Sequence, residues 1–191
     1  WTPMGGVLNC AMGDVKGGSF YGVRVDAGQL TDLWSTELGG NSTSSPSVYN
    51  GRAYVGVAGS GQFAAYSGHS IQVIDLKNKS VAYAAETQGY PQTSGLLTTS
   101  YEEESGYVYI YFFDNMTPGK LRVLRDKPGQ TRLDYVTTEG KSSTVYTLFT
   151  PTGDQAQYAI CSPITDEYGT VYFKNDSAHL MAFGSKIVSL D

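Results

Sequence analysis

Residues 162–173 read Ser-Pro-Ile-Thr-Asp-Glu-Tyr-Gly-Thr-Val-Tyr-Phe, and this stretch decides the fold of the chain. A short apolar segment leads into a turn marked by Asp166 and Gly169, and an alternating segment follows. Residues 45–55 repeat the pattern as Ser-Pro-Ser-Val-Tyr-Asn-Gly-Arg-Ala-Tyr-Val. Asn-Gly between two such runs is the strongest short-range signal for a β-hairpin. The two copies therefore predict hairpins that begin near Ser45 and Ser162.

A looser copy lies between them, starting at Ser94 and reaching the alternating run 107–111 through a longer turn. A third strand-like segment, which ends in Asp75, follows the copy that begins at Ser45. Another, which ends in Asp126, follows the copy that begins at Ser94, and residues 22–26 are a shorter version. A fourth segment then follows each of these three, and it carries an aromatic residue. The aromatic residues of these fourth segments are Trp34, Tyr83 and Tyr135.

Four antiparallel strands in about 40–50 residues is the period of a β-propeller blade. We therefore expect an all-β chain that forms a partial propeller of about four antiparallel blades, two complete and two partial. The expected blades are residues 1–38, 45–88, 94–138 and 159–191, in a single domain with an insertion at 139–158. An alternative is that Thr144–Phe149 forms one more strand on a blade edge and shields that edge from aggregation. The outermost strands are expected at 7–11 and 186–190, and helical periodicity is lacking, so we expect little helix.

The composition is that of a folded chain with no bias toward nucleic acid. Hydrophobic residues make up 40% of the 191 residues and charged residues 16%. The net charge is −5 and the 13 basic residues are scattered, whereas phosphate binding needs clustered Lys and Arg. No apolar run is long enough to span a membrane. We expect neither nucleic acid as a partner nor direct insertion into a membrane.

The chain contains two cysteines, Cys10 and Cys161, which we expect to be free thiols because unpaired cysteines are often buried. It begins with Trp1 instead of Met, and we interpret it as an excised piece or a processed product.

The Ser-Pro…Gly…Tyr hairpin followed by a strand ending in Asp resembles the repeat of the pyrroloquinoline-quinone (PQQ)-like β-propeller superfamily. The best matches are residues 45–75 and 162–183, and Trp34 stands where that family often has a Trp. The resemblance implies seven or eight blades, whereas this chain offers about four. We therefore expect either further blades in the intact protein or self-association through the incomplete blades. The third repeat, 102–109, resembles propeller modules of large bacterial surface proteins.

The family's quinoprotein dehydrogenases have an adjacent Cys-Cys pair, a Trp over the quinone and a calcium site with a catalytic Asp. This sequence has no Cys-Cys pair, and Trp34 lies in a predicted strand. We therefore expect no cofactor and no catalytic residues. Oxygen ligands are offered by Asp166, Glu167, Asn175 and Asp176. Their spacing matches no calcium loop and turn roles explain them, so no metal site is expected.

Candidate binding residues come from the loops after the second and fourth strands, which gather on the ligand-binding face of a propeller. These loops are unequal in length, and long loops such as the connection 139–158 are often functional. They comprise residues 59–69, 114–119 and 175–178 and the connection 139–158. The candidates within them are Phe63, Tyr66, His69, Asp114, Asn115, Tyr146, Asn175 and Asp176.

The sequence thus predicts a non-catalytic binding or scaffolding module of a secreted or cell-surface bacterial protein, engaging a protein or a glycan through these loops. Two alternatives remain. One is a fragment of a PQQ-dependent or carbohydrate-active propeller enzyme, and the other is a structural spacer.

Overall fold

A computed structural model describes residues 4–8, 18–60, 67–138 and 140–184. These residues form antiparallel sheets of three, four, four and three strands and one separate two-stranded hairpin. The helical elements among them are one turn of α-helix, α1 (Glu102–Ser105), and one 3₁₀ turn (Gly153–Gln155). The prediction of an all-β chain is confirmed, and none of the described sheets closes on itself.

The strands follow the chain from sheet 1 to sheet 4. Sheet 1 contains β1 (Met4–Leu8), β2 (Ser19–Asp26) and β3 (Gln29–Glu37). Sheet 2 contains β4 (Ser47–Tyr49), β5 (Arg52–Val57), β6 (Ser70–Asp75) and β7 (Ser80–Glu86). Sheet 3 contains β8 (Leu96–Thr98), β9 (Val108–Phe113), β10 (Leu121–Asp126) and β13 (Tyr146–Phe149). The separate hairpin is β11 (Val136–Thr138) with β12 (Lys141–Ser143). Sheet 4 contains β14 (Ile164–Thr165), β15 (Val171–Lys174) and β16 (Leu180–Phe183).

The hairpin predicted from the Asn-Gly pair forms between β4 and β5. Asn50 has φ 44° and Gly51 has φ 76°, so both central residues of the turn lie in the left-handed region. That conformation gives the turn a twist matching the flanking strands, and Asn-Gly adopts it at low cost. The register pairs Tyr49 with Arg52 directly across the turn.

Sheet 2 packs against a neighbour on each of its faces because side chains alternate along β5. Ala53, Val55 and Val57 point to one side and share a buried cluster with Phe20 of β2. Tyr54 lies on the other face, in a cluster that draws on β6, β7, β9 and β10.

A third cluster joins sheets 3 and 4, with Phe113 and Leu121 on one side and Phe173 and Met181 on the other. The rings of Phe113 and Phe173 lie 4.7 Å apart between centroids. Sheets 1 to 4 are therefore packed one on the next in the order of the chain.

The prediction that Tyr135 lies in the fourth strand of the third repeat is wrong. Residues 133–135 are irregular, and Tyr135 is exposed. The Asp134 carboxylate accepts a hydrogen bond from Tyr107 and pairs with Arg125 at 3.2 Å. These contacts hold the segment at the start of β9 and the end of β10. The fourth strand of sheet 3 is β13, which pairs with β10. The alternative that Thr144–Phe149 forms a strand on the edge of this sheet is therefore confirmed.

At the amino-terminal end, β1 begins three residues before the predicted strand at 7–11. It pairs with β2 from Met4 opposite Val23 to Leu8 opposite Ser19. The strand predicted at 186–190 lies outside the described residues. None of the described helices is long and apolar enough to cross a membrane.

Candidate functional site

One end of the four sheets carries a continuous surface of loops, which we call the loop end. Every sheet is antiparallel and the sheets pack in chain order. In each sheet, therefore, the connection that leads into the first strand and the connections that follow the second and fourth strands lie at the same end. The loop end comprises residues 38–46, 58–60, 67–69, 87–95, 114–120, 150–163 and 175–179.

Backbone hydrogen bonds join each of these loops to the next. Ala58 N–H donates to the Asn41 carbonyl at 2.7 Å, and Thr87 N–H donates to His69 at 3.0 Å. Farther along, Gly119 N–H donates to Gln157 at 2.9 Å. These bonds satisfy backbone groups that the ends of the strands would otherwise leave unpaired. The loops therefore form one continuous surface, and none of them extends into solvent without contact to a neighbouring loop.

Tyr90 is the centre of this surface because it contacts three other loops. Its hydroxyl accepts a hydrogen bond from Thr43 N–H at 2.5 Å, and its carbonyl accepts one from Asn115 N–H at 2.9 Å. Its ring stacks on His69, with centroids 6.4 Å apart and planes inclined by 17°. The Asn115 side chain also donates to Gln92 at 2.9 Å. The arrangement fixes an aromatic pair beside two amide side chains.

A buried ion pair supports the loop end from beneath. Arg122 Nε donates to Asp114 Oδ2 at 2.7 Å, and the Asp114 side chain is 0% exposed. Arg122 Nη2 and Lys120 Nζ both donate to Gln88 Oε1 at 2.8 Å, and Arg122 Nη1 donates to the hydroxyl of Thr147. Burial raises the pKa of the Asp114 carboxyl above its usual value, and Arg122 opposes that shift. The pair therefore fixes the β9–β10 loop on its own hairpin, and the two bonds to Gln88 join that hairpin to the segment after β7.

A second buried ion pair lies at the opposite end of sheets 2 and 3. Arg52 holds both carboxylate oxygens of Asp126, through Nε and Nη2, at 3.0 Å each. The hydroxyls of Tyr54 and Tyr83 donate to the same carboxylate at 2.8 and 2.6 Å. All four groups are partnered, so this network fastens one sheet to the next.

The structure brings three of the predicted site residues together and separates the others. His69, Asp114 and Asn115 lie around Tyr90 and Arg122. Asn175 also lies at the loop end, but it is 3% exposed and donates to the Gln155 carbonyl at 2.6 Å, which is a role in loop structure. Asp176 is exposed at the loop end. The Tyr146 hydroxyl donates to the Thr138 carbonyl on the separate hairpin at 3.5 Å. Phe63 and Tyr66 lie outside the described residues.

Sequence reasoning missed Tyr90, Gln88 and Arg122. Tyr90 stands between Gly89 and Pro91 in the connection from β7 to β8, and an aromatic residue between two turn residues could have marked it. Arg122 lies between the apolar residues Leu121 and Val123, and other charges at 120, 125 and 126 masked the signal that it has a buried partner.

The exposed part of the loop end combines aromatic, aliphatic and polar side chains. Tyr158 is 51% exposed and Ile160 is 56% exposed, on the segment that follows the 3₁₀ turn. Gln88 and Asp176 are also exposed. Within the described ranges, no group of three or more His, Cys, Asp or Glu side chains is placed to hold a metal ion. Cys161 is a free thiol that donates to the Lys174 carbonyl, and Cys10 lies outside the described residues.

No protein-family model matches the chain, and no curated protein matches it either.

Proposed function

We propose that the chain is a non-catalytic binding or scaffolding module of a secreted or cell-surface bacterial protein. Its loop end engages a protein or a glycan, and its four sheets are successive blades of a propeller of the PQQ-like type. The packing of the sheets in chain order supports the blade assignment, as does the spatial order of strands β4 to β7, which is their order in sequence. Both features are typical of propellers.

The observation that carries the proposal is the continuity of the loop end. Loops held by a rigid scaffold are the usual place for recognition, because the scaffold fixes their side chains before the ligand arrives. Here every loop is hydrogen-bonded to a neighbour, and Tyr158 presents a half-exposed ring on a segment whose Tyr158 carbonyl accepts a hydrogen bond from Asp176 N–H. Tyrosine suits such a surface because it supplies a large apolar face together with a hydroxyl.

The positions of the buried charges favour binding over catalysis. A general acid or base must come within hydrogen-bond reach of a substrate. The carboxylates of Asp114 and Asp126 are both 0% exposed and both committed to an arginine. They hold loops and sheets in place, which is the role of a scaffold.

The proposal is tested by applying the purified protein to a glycan array and to a protein microarray. The strongest hit is then measured by calorimetry against two variants. Tyr158→Ala removes an exposed ring at the loop end, and Tyr168→Ala removes a 72% exposed ring from the β14–β15 turn at the opposite end. We expect Tyr158→Ala to weaken binding at least tenfold, a loss common for an aromatic residue that anchors an interface. Tyr168→Ala should leave binding unchanged.

Equal losses in the two variants, or no hit on either array, would refute binding through the loop end. An absence of hits would favour the spacer alternative.

A further inference from the structure

A polar cleft of about 650 Å³ lies between sheets 2 and 3, and Thr87 and Gln88 are the loop-end residues that line it. One wall is the end of β7 with the residues after it, including Ala84, Glu86 and Gln88. The other wall is the connection from β12 to β13, and Arg122 and Leu133 also line the cleft. Clefts of this size bind ligands in many proteins.

The first wall is an unpaired strand edge. Among the described residues, β7 pairs with β6 alone. Thr87 N–H donates to the His69 carbonyl, so the backbone groups of residue 87 point toward β6. Backbone groups in an antiparallel ladder alternate in direction along the strand. The register is regular from Tyr83 to Glu86, so the N–H and C=O groups of Ala84 and Glu86 point away from β6, toward the cleft that these residues line.

The common protections of an edge strand cover only half of β7. The register shifts opposite Val73 and Ile74, which leaves Ala82 as an extra residue in a bulge. Bulges of this kind twist an edge away from pairing. Tyr83–Glu86 has no bulge, no proline and no lysine. An edge whose one charged side chain is Glu86 is a template on which another strand can pair, above all one that brings a basic side chain.

We infer that this cleft binds an extended peptide, which adds to sheet 2 as a fifth strand along Tyr83–Thr87. Main-chain hydrogen bonds to Ala84 and Glu86 would provide affinity, as in other cases of strand addition. Five residues of an extended strand span about 17 Å, which sets the length of the peptide.

The walls also select the chemistry of the peptide. Leu133 and Val145 are partly buried against the core of sheets 2 and 3 and offer an apolar contact to an aliphatic side chain. The positive charge of Arg122 is neutralised by its ion pair with Asp114. Glu86 is exposed and takes part in none of the ion pairs found among the described residues. The cleft therefore favours a peptide with one aliphatic and one basic side chain over an acidic peptide.

The probe is the strongest binder selected from a displayed library of random heptapeptides, synthesised with a fluorescent label. Ala84→Pro deletes an N–H that points outward, so it removes no bond of the β6–β7 ladder and is compatible with an edge strand. We expect it to weaken peptide binding about five- to tenfold, the effect of one backbone hydrogen bond. Ala82→Pro is the matched control, on the same edge but at the bulge outside the cleft, and should bind as the wild type does.

Hydrogen exchange on the wild-type protein decides the question even if Ala84→Pro fails to fold. Bound peptide should slow exchange at the amides of Ala84 and Glu86. Absence of any selected peptide, unchanged exchange at both amides, or equal binding by a folded Ala84→Pro variant would overturn the inference. Loss of peptide binding in Tyr158→Ala would also overturn it, since the peptide would then lie at the loop end, and the proposed function would still stand.

Discussion

Replacing Asp126 with alanine should be among the most damaging single changes in this protein. The carboxylate is 0% exposed and lies between sheets 2 and 3, where it accepts hydrogen bonds from Arg52, Tyr54 and Tyr83. Its removal leaves the Arg52 guanidinium, whose side chain is 4% exposed, without its principal partner. Asp75 remains at 3.8 Å and is the only other carboxylate paired with Arg52 among the described residues.

The size of the loss follows from the burial of the charge. Removing one member of a buried ion pair costs about 3–5 kcal/mol because the other charge is left buried. Two tyrosine hydroxyls also lose their acceptor, at about 1 kcal/mol or more each. Asp75 and the Gln130 carbonyl, which accepts from Arg52 at 2.7 Å, offset part of this loss. We therefore expect Asp126→Ala to lower the free energy of unfolding by about 4 kcal/mol, a large share of the 5–15 kcal/mol typical of a domain.

Urea denaturation followed by circular dichroism measures this loss. Asp134→Ala is the control, because it breaks a partly exposed ion pair with Arg125 and a hydrogen bond from Tyr107, and it should cost less than about 2 kcal/mol. The double variant Arg52→Met with Asp126→Leu should be more stable than Asp126→Ala, since it leaves no buried charge. A loss in Asp126→Ala no larger than that in Asp134→Ala would refute the claim that this network fastens the two sheets.

Three further predictions concern pH and close packing. The Tyr107 hydroxyl holds the pKa of the Asp134 carboxyl at about 2; stability from this group should be present above pH 4 and lost as the pH falls toward 2, and Asp134→Asn should flatten that loss, which acid denaturation will measure. Burial first, and then Asp126, raises the pKa values of Tyr54 and Tyr83 far above 10; both should stay protonated until alkaline unfolding, and stability should fall above pH 10 less steeply in Tyr83→Phe, as read from tyrosinate absorbance. A methyl group on Gly56 would lie 1.6 Å from a carbonyl oxygen of the next loop; Gly56→Ala should therefore lower the melting temperature more than Gly51→Ala, where a positive φ is the only obstacle.

The elements that could be predicted from the sequence are those specified by neighbouring residues. The Asn50-Gly51 turn formed because both residues adopt positive φ readily, and the alternation along β5 placed apolar side chains on both faces of sheet 2. Tyr135 misled the prediction because its pattern matched Tyr83 locally. Its neighbour Asp134 is bound to Tyr107 and Arg125, and these contacts draw the segment out of the sheet.

The candidate site was harder to predict, because its contacts join distant parts of the chain. Thr43 meets Tyr90 across 47 residues, and Arg52 meets Asp126 across 74. Periodicity within a strand carries no information about such pairs. Residues 114–119 and 175–178 lie at one end because antiparallel hairpins return there, whereas the connection 139–158 contains β12 and β13, so Tyr146 lies in a strand.

The loop end exists only if the four sheets pack in chain order, and nuclear Overhauser spectroscopy on protein with selectively labelled phenylalanine tests this directly. The rings of Phe113 in sheet 3 and Phe173 in sheet 4 lie 4.7 Å apart, so a strong cross-peak between them is expected. Absence of a peak between these two rings in the folded protein would contradict the packing of sheets 3 and 4 and with it the continuous surface on which binding depends.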